Sequence, residues 1–373
     1  MKYKLADIFD LQMGKTPSRN NLEYWRTTDN KWISIGDLSQ SGKYIYDTKE
    51  YLSDNAVKES GIKIIPANTV VMSFKLSIGK TAITPEDMYS NEAIMAFRDK
   101  QVVEMLPEYI YYMFKFRDWD SGTNKAVMGK TLNKATLSLL EVDICGIEKQ
   151  REIVKILDKV TAILDNRKEE LDKLDKLIKA RFVELFGTLD NPTRDFDRQV
   201  LKELCNKITD GKHGGCTTEE GTERYFVGAR EIYDDMIHYD TAPEIKVDEF
   251  EKDYKRCNIE KGDFLIVNTG ATIGKSAIAV DDRTEHTLLQ KSVALLKVKP
   301  ELLDSVFLKW CYRVNTKMYM VESASAQPNL LLSKINATVI YVPPIDMQKE
   351  FRLFAEQVDK SKFEGRMIII GHR

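Results

Sequence analysis

The triplet Gly-Lys-Ser/Thr occurs three times in this chain, at Gly14-Lys15-Thr16, Gly79-Lys80-Thr81 and Gly274-Lys275-Ser276. A lysine and a hydroxyl after a glycine can grip a nucleotide phosphate. The grip also needs a glycine five residues upstream, where the backbone wraps the anion. Those upstream positions hold Phe9, Phe74 and Thr269, with Gly270 one residue out of register. Pro17 follows Thr16, where a helix should already be under way. The triplets are therefore not read as nucleotide-binding loops.

What the repeated lysines share is their charge environment. Residues 61–85, 121–140, 264–280 and 323–344 contain no Asp or Glu, in a chain with 31% charged residues. One reading is that these are buried strands, where neither charge belongs. The other is a surface facing a polyanion, on which Lys and Arg meet phosphates while Asn, Gln, Ser and Thr reach base edges. On that second reading the first half of the chain offers Lys15, Thr16, Arg19, Lys75, Ser77, Lys80, Asn124, Lys125 and Lys130. The second half offers Lys212, His213, Arg230, Asn268, Thr269, Thr272, Lys275, Gln327 and Asn329.

Other chemistries lack their residues. Histidines at 213, 238, 286 and 372 are dispersed and assemble no triad. Cys205, His213 and Cys216 lack a well-spaced fourth ligand for a metal, and none of the five cysteines stands in a CxxC pair, so reduced thiols are expected. There is no glycine-rich cofactor loop, and Asn191-Pro192-Thr193 does not supply the Asn/Asp-Pro-Pro-aromatic motif that transfers methyl groups to base amines. No catalytic residue is assigned. A net charge of −2 does not argue against nucleic acid, because local patches set phosphate attraction. No apolar run approaches the roughly 20 residues that span a bilayer, and a cytoplasmic location is expected.

The elements that position these residues come in two copies. "IIPANTVVMSFKLSIGKTAI" aligns with "IEKGDFLIVNTGATIGKSAI", and "LADIFDLQMGK" with "LKELCNKITDGK". "KWISIGDL" pairs with "RYFVGAREI", "SNEAIMAF" with "LQKSVALL", and "LPEYIYYMFKF" with "LLDSVFLKWCY". A sixth match, "TLNKATLSLLEVDICGIEKQREI" with "NLLLSKINATVIYVPPIDMQKEF", sets Gln150 opposite Gln348. Six matches in one order define a tandem duplication. Short β-rich segments at 69–73 and 264–267, and helices at 108–116 and 304–313, predict a mixed α/β (α+β) globule in each copy. The expected domains are residues 1–148, 149–189, 190–346 and 347–373, the second and fourth being helical.

Between the globules, positions 153, 157, 160, 164, 167, 171, 174, 178, 181 and 185 carry Ile, Leu, Val, Leu, Arg, Leu, Leu, Ile, Arg and Leu. That heptad spacing predicts one long helix, stopped by Gly187 and roughly 55–60 Å in length. Its partner would be the second copy's helix, with Phe351, Ala355 and Val358 on the seam. That helix is expected to break at Gly365 and reach about half the length. The portion 171–185 of the long helix would then be left to pair with another copy or another subunit.

"GKTPSR…EYW…KWISIGDL", "DGKHGG…YFVGAREI" and "KQREIVKILDKV" followed by a heptad helix ending in "LFG" resemble the specificity subunit of type I restriction–modification enzymes. The resemblance covers nearly the whole chain. It implies two target recognition domains that each read half of a bipartite DNA sequence, held apart by antiparallel conserved helices. It further implies a subunit without catalytic activity, on which methyltransferase and restriction subunits assemble. S-adenosylmethionine, ATP and Mg are expected on those partners and not on this chain. Half-sites roughly one to two DNA turns apart are expected. Since Phe74-Lys75-Leu76-Ser77 faces Thr269-Gly270-Ala271-Thr272 in the alignment, the two half-sites should differ. A subunit of a type II-like enzyme and a protein-binding coiled-coil scaffold are the other readings carried forward.

Overall fold

The computed structural model describes residues 1–75, 77–119, 132–320 and 329–370, with side chains as far as Lys362. The chain forms two compact units, Met1–Leu164 and Asp165–Arg373. The division falls inside the long helix Ile147–Phe186.

Each unit is built on an antiparallel four-stranded sheet of the same order. In the first the order is Phe9–Met13, Ile94–Asp99, Val70–Ser73, Thr81–Ile83; in the second it is Cys205–Asp210, Val293–Val298, Phe264–Val267, Ser276–Ile278. The central strands are apolar throughout because both faces are covered. Val70, Met72, Met95 and Phe97 point into one core cluster, and Val71, Ile94 and Ala96 into another. The second unit repeats this alternation, with Phe264, Ile266, Ala294 and Leu296 on one face and Leu265, Val267, Val293 and Leu295 on the other. The period of two residues follows from the pleat. In these strands, burial is therefore why the windows around 70 and 264 lack acids, and the nucleic-acid reading is left with the loops between them.

The remaining elements repeat as well. A parallel pair joins Asn30–Ile33 to Tyr89–Ser90, and its counterpart joins Tyr225–Val227 to Thr287–Leu289. An antiparallel pair closes each unit, Lys2–Lys4 with Glu141–Asp143 and Arg198–Val200 with Val339–Tyr341. The predicted helices lie at Pro107–Lys115 and Ser305–Val314.

The long helix runs for 40 residues and ends one residue before Gly187. Within the second unit it meets Ile345–Ile370 antiparallel: Phe182 stacks edge-on to Phe351 at 5.2 Å, and Lys362 Nζ lies 2.7 Å from Asp175. Phe351, Ala355 and Val358 are buried there, as the heptad predicted. Three details differ from the sequence expectation. The second helix continues through Gly365 to Ile370, since an interior glycine costs only about 1 kcal/mol. In its C-terminal part the fully buried face of the long helix is Ile178, Phe182 and Phe186, drifting off the seam at 181 and 185 as a 3.6-residue turn drifts from a heptad. The portion expected to lie open is covered, with Leu174 and Leu185 packed on the same core, whereas Ile156, Val160 and Ile163 are exposed.

Candidate nucleic-acid interface

Both Gly-Lys-Ser/Thr triplets of the sheets form the far end of a hairpin. Residues 74–80 join Val70–Ser73 to Thr81–Ile83, and residues 268–275 join Phe264–Val267 to Ser276–Ile278. The second loop is one residue longer. Each glycine has positive φ, +87° at Gly79 and +90° at Gly274, and each is roofed by an aromatic ring, Trp119 and Tyr319 respectively. A Cβ at either position would run into that ring. The glycines thus serve turn geometry and close packing, with no phosphate cradle. The lysines that follow them, Lys80 and Lys275, are exposed and make no ion pair among the described residues.

The first loop is pinned by Ser73, whose Oγ donates to Ser77 O and accepts from Lys80 N at 3.1 Å. Ser77 is exposed, and Lys75 extends over the Phe74 ring at 5.3 Å. The stretch 14–19 lies beside it. Lys15 N donates to Ser90 O at 2.8 Å and its Nζ to Ser60 O. Thr16 Oγ1 donates to Glu92, and Arg19 forks onto Glu50 while stacking on Trp25 at 3.7 Å. The Thr16 hydrogen bond holds the Glu92 carboxyl below its ordinary pKa against the opposing effect of burial, and the Lys75 and Arg19 charges add to that lowering. The structure therefore brings Thr16, Arg19 and Lys75 together around a carboxylate that the charge-window reading had left out.

In the second unit Asn268 is buried, its N–H donating to Ser292 O at 3.0 Å and its O accepting from Leu330 N at 2.7 Å. Thr269 Oγ1 lies 3.3 Å from both Asn268 Oδ1 and Asn329 Oδ1, so the loop is tied to the segment carrying Asn329. Thr272 O accepts from Lys275 N at 3.2 Å, closing the turn. Ala229 N donates to Ser292 Oγ at 3.1 Å, which brings the exposed Arg230 to the same rim. Lys212 is different. Its ammonium sits 2.7 Å from Asp253 and 3.6 Å from Glu249, with the side chain only 19% exposed, so its charge is spent inside the domain. His213 lies 3.7 Å from Asp210, which Arg256 also engages. Asn124, Lys125, Lys130 and Gln327 lie outside the described residues.

Two further residues belong to this rim. Phe74 N donates to Ala93 O exactly where Asn268 N donates to Ser292 O, so Glu92 and Lys291 hold equivalent positions, both exposed. The alignment of "SNEAIMAF" with "LQKSVALL" carries that signal, although Glu92 lies outside every acid-free window. Likewise the Asp37 carboxylate accepts from Ser34 N and the Glu231 carboxylate from Gly228 N, each at 2.8 Å, which places Gly36 opposite Arg230.

Among the described residues no group of His, Cys, Asp and Glu gathers as a metal site, and no helix is long and apolar enough to cross a membrane. Cys205 and Cys216 pack into separate core clusters.

A duplicated α/β unit with a polar, partly basic hairpin rim, joined through a long helix, defines a class of tandem recognition protein. The chain belongs to the type I restriction modification DNA specificity domain family, which it matches over residues 1–176 and again over 194–366. The MjaIX specificity subunit of Methanocaldococcus jannaschii is 29% identical over 210 residues, 54% of this chain and about half (48%) of that protein's length. The EcoprrI specificity subunit of Escherichia coli is 23% identical over 380 residues, 92% of this chain and 84% of that protein. The S subunit of a type I restriction–modification system from M. genitalium has the same fold, with a TM-score of 0.50 at 15% identity over 100% of this chain and 92% of its own. A chain from work on complex assembly and conformational transition of the type I system gives 0.51 at 14% identity, covering 99% and 95%. A double match of this extent does not favour the scaffold or type II-like readings.

Proposed function

We propose that this chain is the non-catalytic specificity subunit of a type I restriction–modification enzyme. It reads an asymmetric bipartite DNA sequence, one half with each unit, and directs adenine methylation and cleavage by methyltransferase and restriction subunits in the cytoplasm. S-adenosylmethionine, ATP and Mg belong to those partners. The observation that carries the reading is that two equivalent hairpins, in a chain twice matched to a DNA specificity domain, each present an exposed lysine without an acidic partner among the described residues, Lys80 and Lys275. Lysines held this way can meet phosphates, while Ser77, Thr269, Thr272 and Asn329 offer the neutral donors and acceptors that base edges require. The difference between the hairpins supports two different half-sites.

The test is single-molecule methylome sequencing of cells carrying the neighbouring methyltransferase gene, with and without this gene. A bipartite adenine-methylated motif that depends on this chain is the expected result. An unchanged methylome, with the chain folded and co-purifying with the methyltransferase, would refute it.

A further inference from the structure

The equivalence of Glu92 and Lys291 has a consequence for what each half-site contains. Both side chains are exposed, both precede the residue whose carbonyl receives the first N–H of the hairpin loop, and both stand next to the strand end that carries Gly14-Lys15-Thr16 or Gly211-Lys212-His213. Yet one is an acid and the other a base. A carboxylate on a phosphate-facing rim repels the backbone of the duplex, so its presence needs an attractive counterpart. In the major groove that counterpart is an exocyclic amine, since Glu accepts from cytosine N4, whereas Lys donates to guanine O6 and N7.

Resting on the function proposed above, we propose that Glu92 and Lys291 are specificity-determining residues of the two domains. Glu92 accepts a hydrogen bond from a cytosine amine in the half-site read by the first unit. Lys291 donates to guanine in the half-site read by the second.

The neighbours of each residue fit its task. Thr16 fixes one edge of the Glu92 carboxylate, leaving the other oxygen to accept. Arg19 favours the charged carboxylate but makes no ion pair with it, because its guanidinium is held by Glu50 and the Trp25 ring. Lys75 faces the same carboxylate without an ion pair in the described structure, so it is available to a flanking phosphate. Around Lys291 the arrangement is inverted. The nearby Lys212 is neutralised by Asp253 and Glu249, no acid pairs with Lys291 among the described residues, and Arg230 stands where the first unit has Gly36. The second rim is thus built for acceptor-rich edges and the first for a donor.

The experiment is the methylome comparison repeated with Glu92→Gln, Glu92→Lys, Lys291→Gln and Lys291→Glu in the full chain with its methyltransferase partner. Glu92→Gln keeps the shape and an acceptor for Thr16 but removes the charge. It is expected to relax one G·C position of one half-site by about ten- to a hundred-fold in methylation preference, leaving the other half-site unchanged. Lys291→Gln should do the same at one G·C position of the opposite half-site, and the charge-reversing variants should change the preferred base there. If the wild type gives a motif and both Gln variants give that identical motif, the proposal is overturned while the assignment as a specificity subunit stands. If Glu92→Lys abolishes methylation, Glu92→Gln decides: a relaxed G·C position supports the proposal and an unchanged motif overturns it. If the wild type, folded and co-purifying with the methyltransferase, gives no motif, both readings fall together.

Discussion

Gln150 and Gln348, one in each unit, make the same three hydrogen bonds with fully buried amides. Gln150 Oε1 accepts from Leu106 N at 2.9 Å, and its Nε2 donates to Glu104 O at 2.9 Å and Cys145 O at 2.8 Å. Gln348 Oε1 accepts from Asp304 N at 2.9 Å, and its Nε2 donates to Leu302 O at 3.0 Å and Pro343 O at 2.8 Å. In both units the side chain near the start of a long helix stitches the chain entering Pro107–Lys115 or Ser305–Val314 to the turn before its own helix. Three backbone groups depend on each amide. Replacing either glutamine with Leu leaves them unpaired, and is expected to lower the stability of that unit by about 2–4 kcal/mol. Urea denaturation followed by hydrogen exchange in each unit separately would measure it; a loss under about 0.5 kcal/mol would mean that water replaces the amide at no cost.

The hairpins separate structure from function within one triplet. Gly79→Ala and Gly274→Ala place a Cβ on positive-φ backbone beneath Trp119 and Tyr319, with an expected cost of about 1–3 kcal/mol of stability. Lys80→Ala and Lys275→Ala touch exposed side chains and should leave the melting curve within about 0.5 kcal/mol of wild type. Their effect belongs to DNA binding: each is expected to reduce the slope of log K against log salt by about 0.9, uniformly across sequences. Titrations of the assembled methyltransferase complex at several salt concentrations read that slope. An unaltered slope in both lysine variants would show that these loops do not meet the backbone.

Much of this architecture was legible in the sequence because duplication writes every element twice. The hairpin glycines, the two glutamines and the helices at 107–115 and 305–314 recur in order, and chance does not reproduce such order. The fate of individual charges was not legible. Lys212 reads like Lys15, but Asp253 and Glu249 reach it from a helix some 40 residues away in the chain, and no local pattern announces that pairing. Glu92 is hidden for the opposite reason: a window free of acids excludes by definition the acid that a basic rim surrounds. The helix seam is legible as a heptad but lies one residue off near its end, where the fully buried face follows Phe182 and Phe186 in place of positions 181 and 185.

Inside the second unit, the hairpin at Ile232–Ile237 sends Asp235 against Lys309, 3.1 Å away, and against Arg313. Burial alone would raise the Asp235 carboxyl, but the Lys309 and Arg313 charges outweigh it and hold the group below its usual range. A carboxyl whose pKa is lowered by folding adds stability that is fully present above its unfolded value of about 4 and is lost as the pH falls through the lower folded value. Acid should therefore weaken the helix Ser305–Val314 below about pH 4. Asp235→Asn takes from the buried Lys309 its direct ion-pair partner, leaving only the charge of Asp359 beyond contact distance, and is expected to cost about 3–5 kcal/mol at neutral pH. It should also flatten the acid dependence. Hydrogen exchange of that helix between neutral and acid pH tests both, and an unchanged acid limb in the variant would assign it to other groups.

The contact between the helices Ile147–Phe186 and Ile345–Ile370 offers a different kind of test, because an aromatic cluster and a salt bridge secure it at different points. Phe182 and Phe186 interlock with Phe307 and Phe351, while Lys362, only 5% exposed, lies between Asp175 and Asp359. Phe182→Ala removes a fully buried ring from the middle of the cluster and is expected to cost about 3–5 kcal/mol. Asp175→Asn is milder, since Asp359 still serves the ammonium at 2.6 Å, and about 1 kcal/mol is expected. The order matters more than the sizes. If Asp175→Asn destabilises the second unit more than Phe182→Ala does in denaturant melts, the helices are held by charge and the aromatic cluster is not their principal joint. With the expected order, the heptad pattern is secured by a few aromatic layers near the domain, and the exposed Ile156, Val160 and Ile163 of the same helix should tolerate substitution by Ala within about 0.5 kcal/mol.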